Sequence, residues 1–182
     1  WLGMRLAEIR DLNGALVVGS FLRKDHPLIA QRLRQAAKKF TKVSLLTVAG
    51  DDPLINLHAR LTVAPAALTS ALAAVVKAAA EIKGVAVPVG LESISVCETS
   101  KKIAQSLVDG EKQAIFLGNV ATQVADATQL HLLALELGKL TGATVGFLGE
   151  GANTVGGHLS LASLSGANAR QMFEQPRKAY VM

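Results

Sequence analysis

Few side chains in this 182-residue sequence could carry chemistry, and they fall into four groups. The first is a polar loop running from Gly19-Ser20 to His26, placed between the apolar run Ala15-Leu16-Val17-Val18 and Pro27. A buried strand, a glycine turn and a helix N-terminus in that order build phosphate and nucleotide sites in parallel α/β folds. The unit is therefore a candidate phosphate cradle. The second group is Asp51 and Asp52, which follow an expected strand on the edge where such folds place ligands. Adjacent carboxylates in a loop are more often turn formers and caps. The third is Gly149-Glu150-Gly151-Ala152-Asn153-Thr154, which has two glycines of the dinucleotide fingerprint but Thr154 at the third position. Glu150 would also oppose a pyrophosphate, so the segment reads as a tight packing turn. The fourth comprises Cys97 and the histidines His26, His58, His131 and His158, none paired at helical spacing. A lone cysteine permits neither an internal disulfide nor a cysteine-ligated cluster, and the histidines read as capping, core or surface residues. A Walker loop and a Gly-x-Ser-x-Gly elbow are both absent.

The elements that must position these groups alternate. Residues 15–19 are the first expected strand. A helix over 27–40 shows Ile29, Leu33, Ala36 and Phe40 on one stripe, with proline at its first position, where a missing N–H costs nothing. A strand over 42–48 completes a βαβ unit. Leu61-Thr62-Val63 is a short strand, and an alanine-rich helix runs from Pro65 to about residue 80. Residues 83–96 form an irregular link, and a helix over 99–108 turns Ile103 and Leu107 inward. The pattern then restarts: strand 113–117, turn Gly118-Asn119, a long helix over 120–140 stopped by Gly142, and strand 143–148. A short helix near 158–164, a helical turn near 168–175 and a strand within 176–181 are expected last. Strands alternating with helices imply an α/β fold, a Rossmann-like and mainly parallel sheet with helices on both faces. The chain can be one domain or two sub-lobes, 1–96 and 97–182.

Half the residues are hydrophobic but only 4% are aromatic, which suits helices packed on a parallel sheet. No apolar run approaches the ~20 residues of a membrane span, and no signal-peptide pattern is present. The first residue, Trp1, is read as the start of an excised piece of a longer protein. The net charge of +5 is concentrated. Seven basic residues against Asp25 between Phe21 and Lys42 give that stretch +6. The basic helix, with Arg32, Arg34, Lys38 and Lys39, is either a solvated face with dipole-complementing lysines or a surface for an acidic partner or anionic ligand. Nucleic acid is not expected, because no aromatic platform or binding motif accompanies the charge.

The run Val17-Val18-Gly19-Ser20-Phe21-Leu22-Arg23-Lys24-Asp25-His26-Pro27-Leu28 resembles molybdopterin oxidoreductase-type (formate dehydrogenase/DMSO reductase-type) domains. More narrowly, it is similar to the large peripheral-arm subunit of bacterial NADH:quinone oxidoreductase, respiratory complex I. The likeness continues at Ala114-Ile115-Phe116-Leu117-Gly118-Asn119, at residues 148–157, at Asn168-Ala169-Arg170 and at residues 174–180. The resemblance implies a peripheral-arm piece of an enzyme passing electrons from NADH to quinone in the respiratory chain. It would sit on the cytoplasmic face of the bacterial inner membrane, beside other peripheral-arm subunits. Iron–sulfur clusters would lie elsewhere in the full-length subunit, and this piece would be a cofactor-free structural and docking domain. Gly19, Ser20, His26, Asp51 and Asp52 would then be a vestigial nucleotide cradle, with Phe21 replacing the common asparagine. Arg32, Arg34, Lys38 and Lys39 would be the docking residues. The alternative is a domain of an active molybdopterin oxidoreductase, binding molybdopterin guanine dinucleotide in that cradle.

Overall fold

The computed structural model describes residues 2–151, 153–160 and 167–179. It separates into two units, residues 1–150 and 151–182. The first unit is a Rossmann-like α/β fold with a five-stranded, all-parallel sheet. The strands β1 (Gly14–Val18), β2 (Lys42–Thr47), β3 (Ala59–Thr62), β4 (Gln113–Leu117) and β5 (Thr144–Phe147) lie in the order β3-β2-β1-β4-β5. The two halves of the sequence thus share one sheet, joined where β1 pairs with β4.

Five consecutive buried residues in β1 show why its sequence is continuously apolar: both faces of the sheet are covered. Leu16 and Val18 face helices α3 (Leu68–Lys83), α4 (Glu98–Val108) and α6 (Ala127–Thr141), packing with Leu72, Ile103, Leu107, Leu130 and Leu137. Ala15 and Val17 face the opposite layer with Phe116 and Leu45. That layer consists of α2 (Pro27–Ala37) through Ala30 and Leu33, and of a 3-10 turn, Leu6–Asp11, through Ile9. Burying a leucine or isoleucine side chain contributes about 2 kcal/mol, so α2 is held mainly by the apolar stripe its sequence shows.

Four sequence expectations change in detail. The basic helix ends at Ala37 rather than residue 40. The chain turns there, the Thr41 N–H bonding back to the Ala36 carbonyl, and this leaves Phe40 57% exposed instead of inward. The long helix over 120–140 is two helices, α5 (Asn119–Gln123) and α6, because Val124 adopts extended backbone and breaks the ladder. The third strand begins two residues earlier than expected, at Ala59. The helix at Pro65, a 3-10 turn leading into α3, is long and apolar enough over Pro65–Lys83 to cross a membrane by length and composition alone. Half of its apolar window is buried inside the fold and it packs on α4 and α6, as a core helix does.

The link between α3 and α4 carries no regular element but is anchored. Lys77 Nζ donates to the carbonyls of Glu92 (2.6 Å) and Ile94 (3.0 Å). In the second unit, α7 is Thr154–Leu159 and α8 is Ala169–Glu174. Asn168 and Gln171 form a capping box at the start of α8, satisfying two terminal N–H groups reciprocally. The expected helix beyond residue 160 and the end of the expected last strand lie outside the described residues.

Candidate functional site

In a doubly wound sheet, ligands bind at the carboxyl ends of the strands, where the strand order reverses. Here that point lies between β1 and β4. The two strands end in parallel motifs, Gly19-Ser20 and Gly118-Asn119, brought together across 99 residues.

Both glycines are required by close approach. A Cβ on Gly118 would lie 2.3 Å from the Ser20 Cβ and 2.6 Å from the Gly19 carbonyl oxygen. Gly19 has φ +62°, and a Cβ there would lie 2.6 Å from the Ala121 nitrogen. The backbone then knits the loops. Gly19 N–H donates to Leu46 O (2.8 Å), Gly118 N–H to Val18 O (2.8 Å) and Val120 N–H to Gly19 O (2.9 Å). These glycine N–H groups serve the sheet and are not free to bind a phosphate.

Side chains supply what the backbone does not. Among the described residues eight buried polar side-chain atoms lack a partner, and three belong to this connection: Ser20 Oγ, His26 Nε2 and Asn119 Oδ1. Ser20 is 5% exposed and His26 8%. His26 joins α1 (Leu22–Asp25) to α2, its N–H donating to Leu22 O (3.0 Å) and its carbonyl accepting from Ala30 N–H (2.9 Å). Burial holds its imidazole below the ordinary histidine pKa, and neighbouring Asp25 opposes that shift. A neutral imidazole with a buried, unpaired nitrogen is costly unless something bonds to it.

None of the other candidates bonds to these three atoms. Asp51 accepts from Arg60, whose guanidinium bonds the Asp51 carbonyl and lies 3.9 Å from its carboxylate. Asp52 Oδ1 accepts the Leu54 N–H at 2.8 Å, closing a turn in which Leu54 has φ 55°. Both aspartates thus hold the loop after β2. Arg32, Arg34, Lys38 and Lys39 lie on or just past α2 and form no ion pair among the described residues. Thr154 closes the glycine loop on itself, its hydroxyl accepting the Gly151 N–H at 3.0 Å. Cys97 caps α4, its sulfur accepting the Ser100 N–H at 3.4 Å and lying 3.2 Å from the Ser100 hydroxyl. The hydrogen bond with Ser100 holds the thiol below its ordinary pKa. Among the described residues no three His, Cys, Asp or Glu side chains gather to hold a metal. Sequence reasoning placed Asn119 in a turn but not in the site. Its signal was the strand–Gly–polar echo of Gly19-Ser20.

No family model and no curated protein matches this chain. Among solved structures, the fold is similar to the formyltransferase/hydrolase complex FhcABCD from Methylorubrum extorquens, determined in complex with methylofuran. The TM-score is 0.57 at 16% identity, covering 86% of this chain and 42% of that one. The chain thus spans less than half the length of its structural neighbour, and likeness at this identity speaks for the fold.

The complex I reading is corrected on this finding. Assignment to the large peripheral-arm subunit, membership of NADH:quinone oxidoreductase, a respiratory-chain role and peripheral-arm neighbours all give way, because the fold matches a formyltransferase/hydrolase complex. The molybdopterin oxidoreductase alternative has no support either. The physical reason is visible in the residues that carried the resemblance. Gly19 and Gly118 answer to loop-on-loop packing, Pro27 to the first turn of α2, and the apolar runs to a sheet covered on both faces. Such residues report a doubly wound fold more than a family. The expectation of iron–sulfur clusters elsewhere rested on the resemblance alone.

Proposed function

We propose that the first unit is a ligand-binding domain whose site is the β1–β4 switch point, and that the ligand bears a phosphate. One observation carries this reading: the unpartnered Ser20 Oγ, His26 Nε2 and Asn119 Oδ1, buried at the position where α/β folds hold ligands. Ser20 and a neutral His26 can each donate to a phosphate oxygen, while Asn119 Oδ1 accepts from a hydroxyl or amine of the same ligand. Binding and orientation account for these groups without a nucleophile or a general base. The neighbour of known structure works within a complex, and a similar setting would suit a domain that binds rather than transforms. The single free cysteine, Cys97, suits a reducing compartment.

An NMR titration of the isotope-labelled chain with pyrophosphate, ADP and GDP tests the proposal. Saturable shifts at Ser20, the His26 ring and Asn119 are expected. If none of the three probes moves those signals at millimolar concentration, the domain is a scaffold and the reading is lost.

A further inference from the structure

The opposite end of the sheet carries a different surface. Just past the C-terminus of α2, Phe40 stands 57% exposed, a large aromatic the fold does not use. Beside it lies a depression of about 330 Å³ lined by Ala37, Phe40, Thr41, Lys42, Asn56, Leu57 and His58, none of them a carboxylate. Between the lining residues Ala37 and Phe40 the chain carries Lys38 and Lys39, both exposed and without an ion pair among the described residues. On the other flank of Phe40 a further depression contains Asp109, which lies 3.8 Å from Lys42 and balances it. Lys42 lines both depressions and is balanced, so the uncompensated positive charge beside Phe40 is that of Lys38 and Lys39.

We propose that the Asn56–His58 flank of Phe40 is a docking surface for an acidic protein segment, which seats an apolar side chain against Phe40 and Leu57 and places carboxylates on Lys38 and Lys39. Three features favour this occupant. Exposed aromatics beside a depression are where interface energy concentrates, with charge at the rim selecting the partner. A single aromatic offers no stacking platform for successive bases, as a nucleic-acid surface would need. The lining also includes the polar Asn56, Thr41 and His58, whereas a membrane-surface helix presents a continuous apolar face. The inference is independent of the switch-point site.

The test uses the full chain and a synthetic Asp/Glu peptide carrying one leucine, followed by NMR shifts and a fluorescence titration. Saturable binding should perturb residues 37–42 and 56–58. Phe40→Ser should weaken it about tenfold, which is the loss of one modest interface anchor. Lys38→Glu with Lys39→Glu should weaken it at least as much, while Arg23→Glu with Lys24→Glu changes it less than about twofold. Because these side chains lie at the surface, the variants should keep the parent urea midpoint, which separates lost docking from lost folding. Four outcomes overturn the proposal: no binding of the peptide, equal binding of a neutral serine peptide, indifference to Phe40→Ser, or tighter binding to phosphatidylserine vesicles or single-stranded DNA.

Discussion

The two ends of the same sheet solve opposite problems. At the carboxyl end, β1 and β4 run into loops so close that two glycines are obligatory, and three polar atoms are buried without partners. At the amino end, lysines, shallow depressions and an exposed phenylalanine face outward, and the unpartnered buried polar atoms are those of one side chain, Gln113 at the start of β4. The difference follows from helix direction. In a parallel sheet the long helices finish at the amino end, where their terminal carbonyls attract cations. Lys38 follows the last turn of α2, and Lys83, closing α3, donates to the Leu140 carbonyl near the end of α6 at 2.7 Å. One end thereby holds tightly packed loops with buried polar atoms, the other displays charge.

The contrast is most sharply tested by filling the carboxyl end. Gly118→Ala should cost about 3 kcal/mol in urea denaturation, since backbone and a short side chain block the new methyl. Gly50→Ala, which meets nothing within 4 Å, should stay within about 0.5 kcal/mol. Equal effects at the two glycines would mean the loops do not meet as described.

Ser20→Ala should act the other way. Removing an unpaired buried hydroxyl should leave the free protein up to about 1 kcal/mol more stable in thermal melts, while weakening ligand binding. A destabilised Ser20→Ala variant would show that the hydroxyl already has a partner, and the site would lose its main support.

His26 gives the carboxyl end a pH signature. Its folded pKa lies below the unfolded value near 6.5, so the unfolded chain binds the proton more readily. The His26 contribution is therefore fully present above the unfolded pKa and declines as pH falls below it, levelling off once pH passes the folded pKa. The difference in urea stability between the parent and His26→Gln should shrink through that window. A difference that is flat with pH, or that grows on acidification, contradicts a buried neutral imidazole. The smallest effect belongs to the amino end: Lys83→Met should cost about 0.5 kcal/mol, and added salt should erase most of it in the parent.

Local pattern made much of the fold legible. The continuous apolar runs in β1 and β4, the stripe through Leu33 and Ala36, and Gly142 after α6 all announced their elements. What stayed hidden depends on partners distant in sequence. Gly118 could be read as a turn residue, but not as the floor beneath Ser20, because that contact joins residues 98 positions apart in the chain. Phe40 continues the helical stripe in the sequence. Its exposure follows from where α2 stops, and neither Ala37 nor Lys38 is a residue that dictates a stop. Val124 hid the break between α5 and α6 for the same reason, being apolar and no helix breaker by type. Ser20 and His26 were visible as a polar loop after a strand, but that they are buried and unpaired is a fact of tertiary packing. Family, finally, was over-read from residues that the architecture itself demands.

The position of β1 also has a consequence for how the chain is made. It is the central strand, yet its partner β4 starts 99 residues after it. At about 5–20 residues per second of synthesis, one side of β1 waits several seconds for its neighbour. During that interval Ala15-Leu16-Val17-Val18 is an apolar edge with free hydrogen-bonding groups, open to pairing with any extended chain nearby. The same strand that ends in the Gly19-Ser20 loop is thus a segment in need of protection at the ribosome.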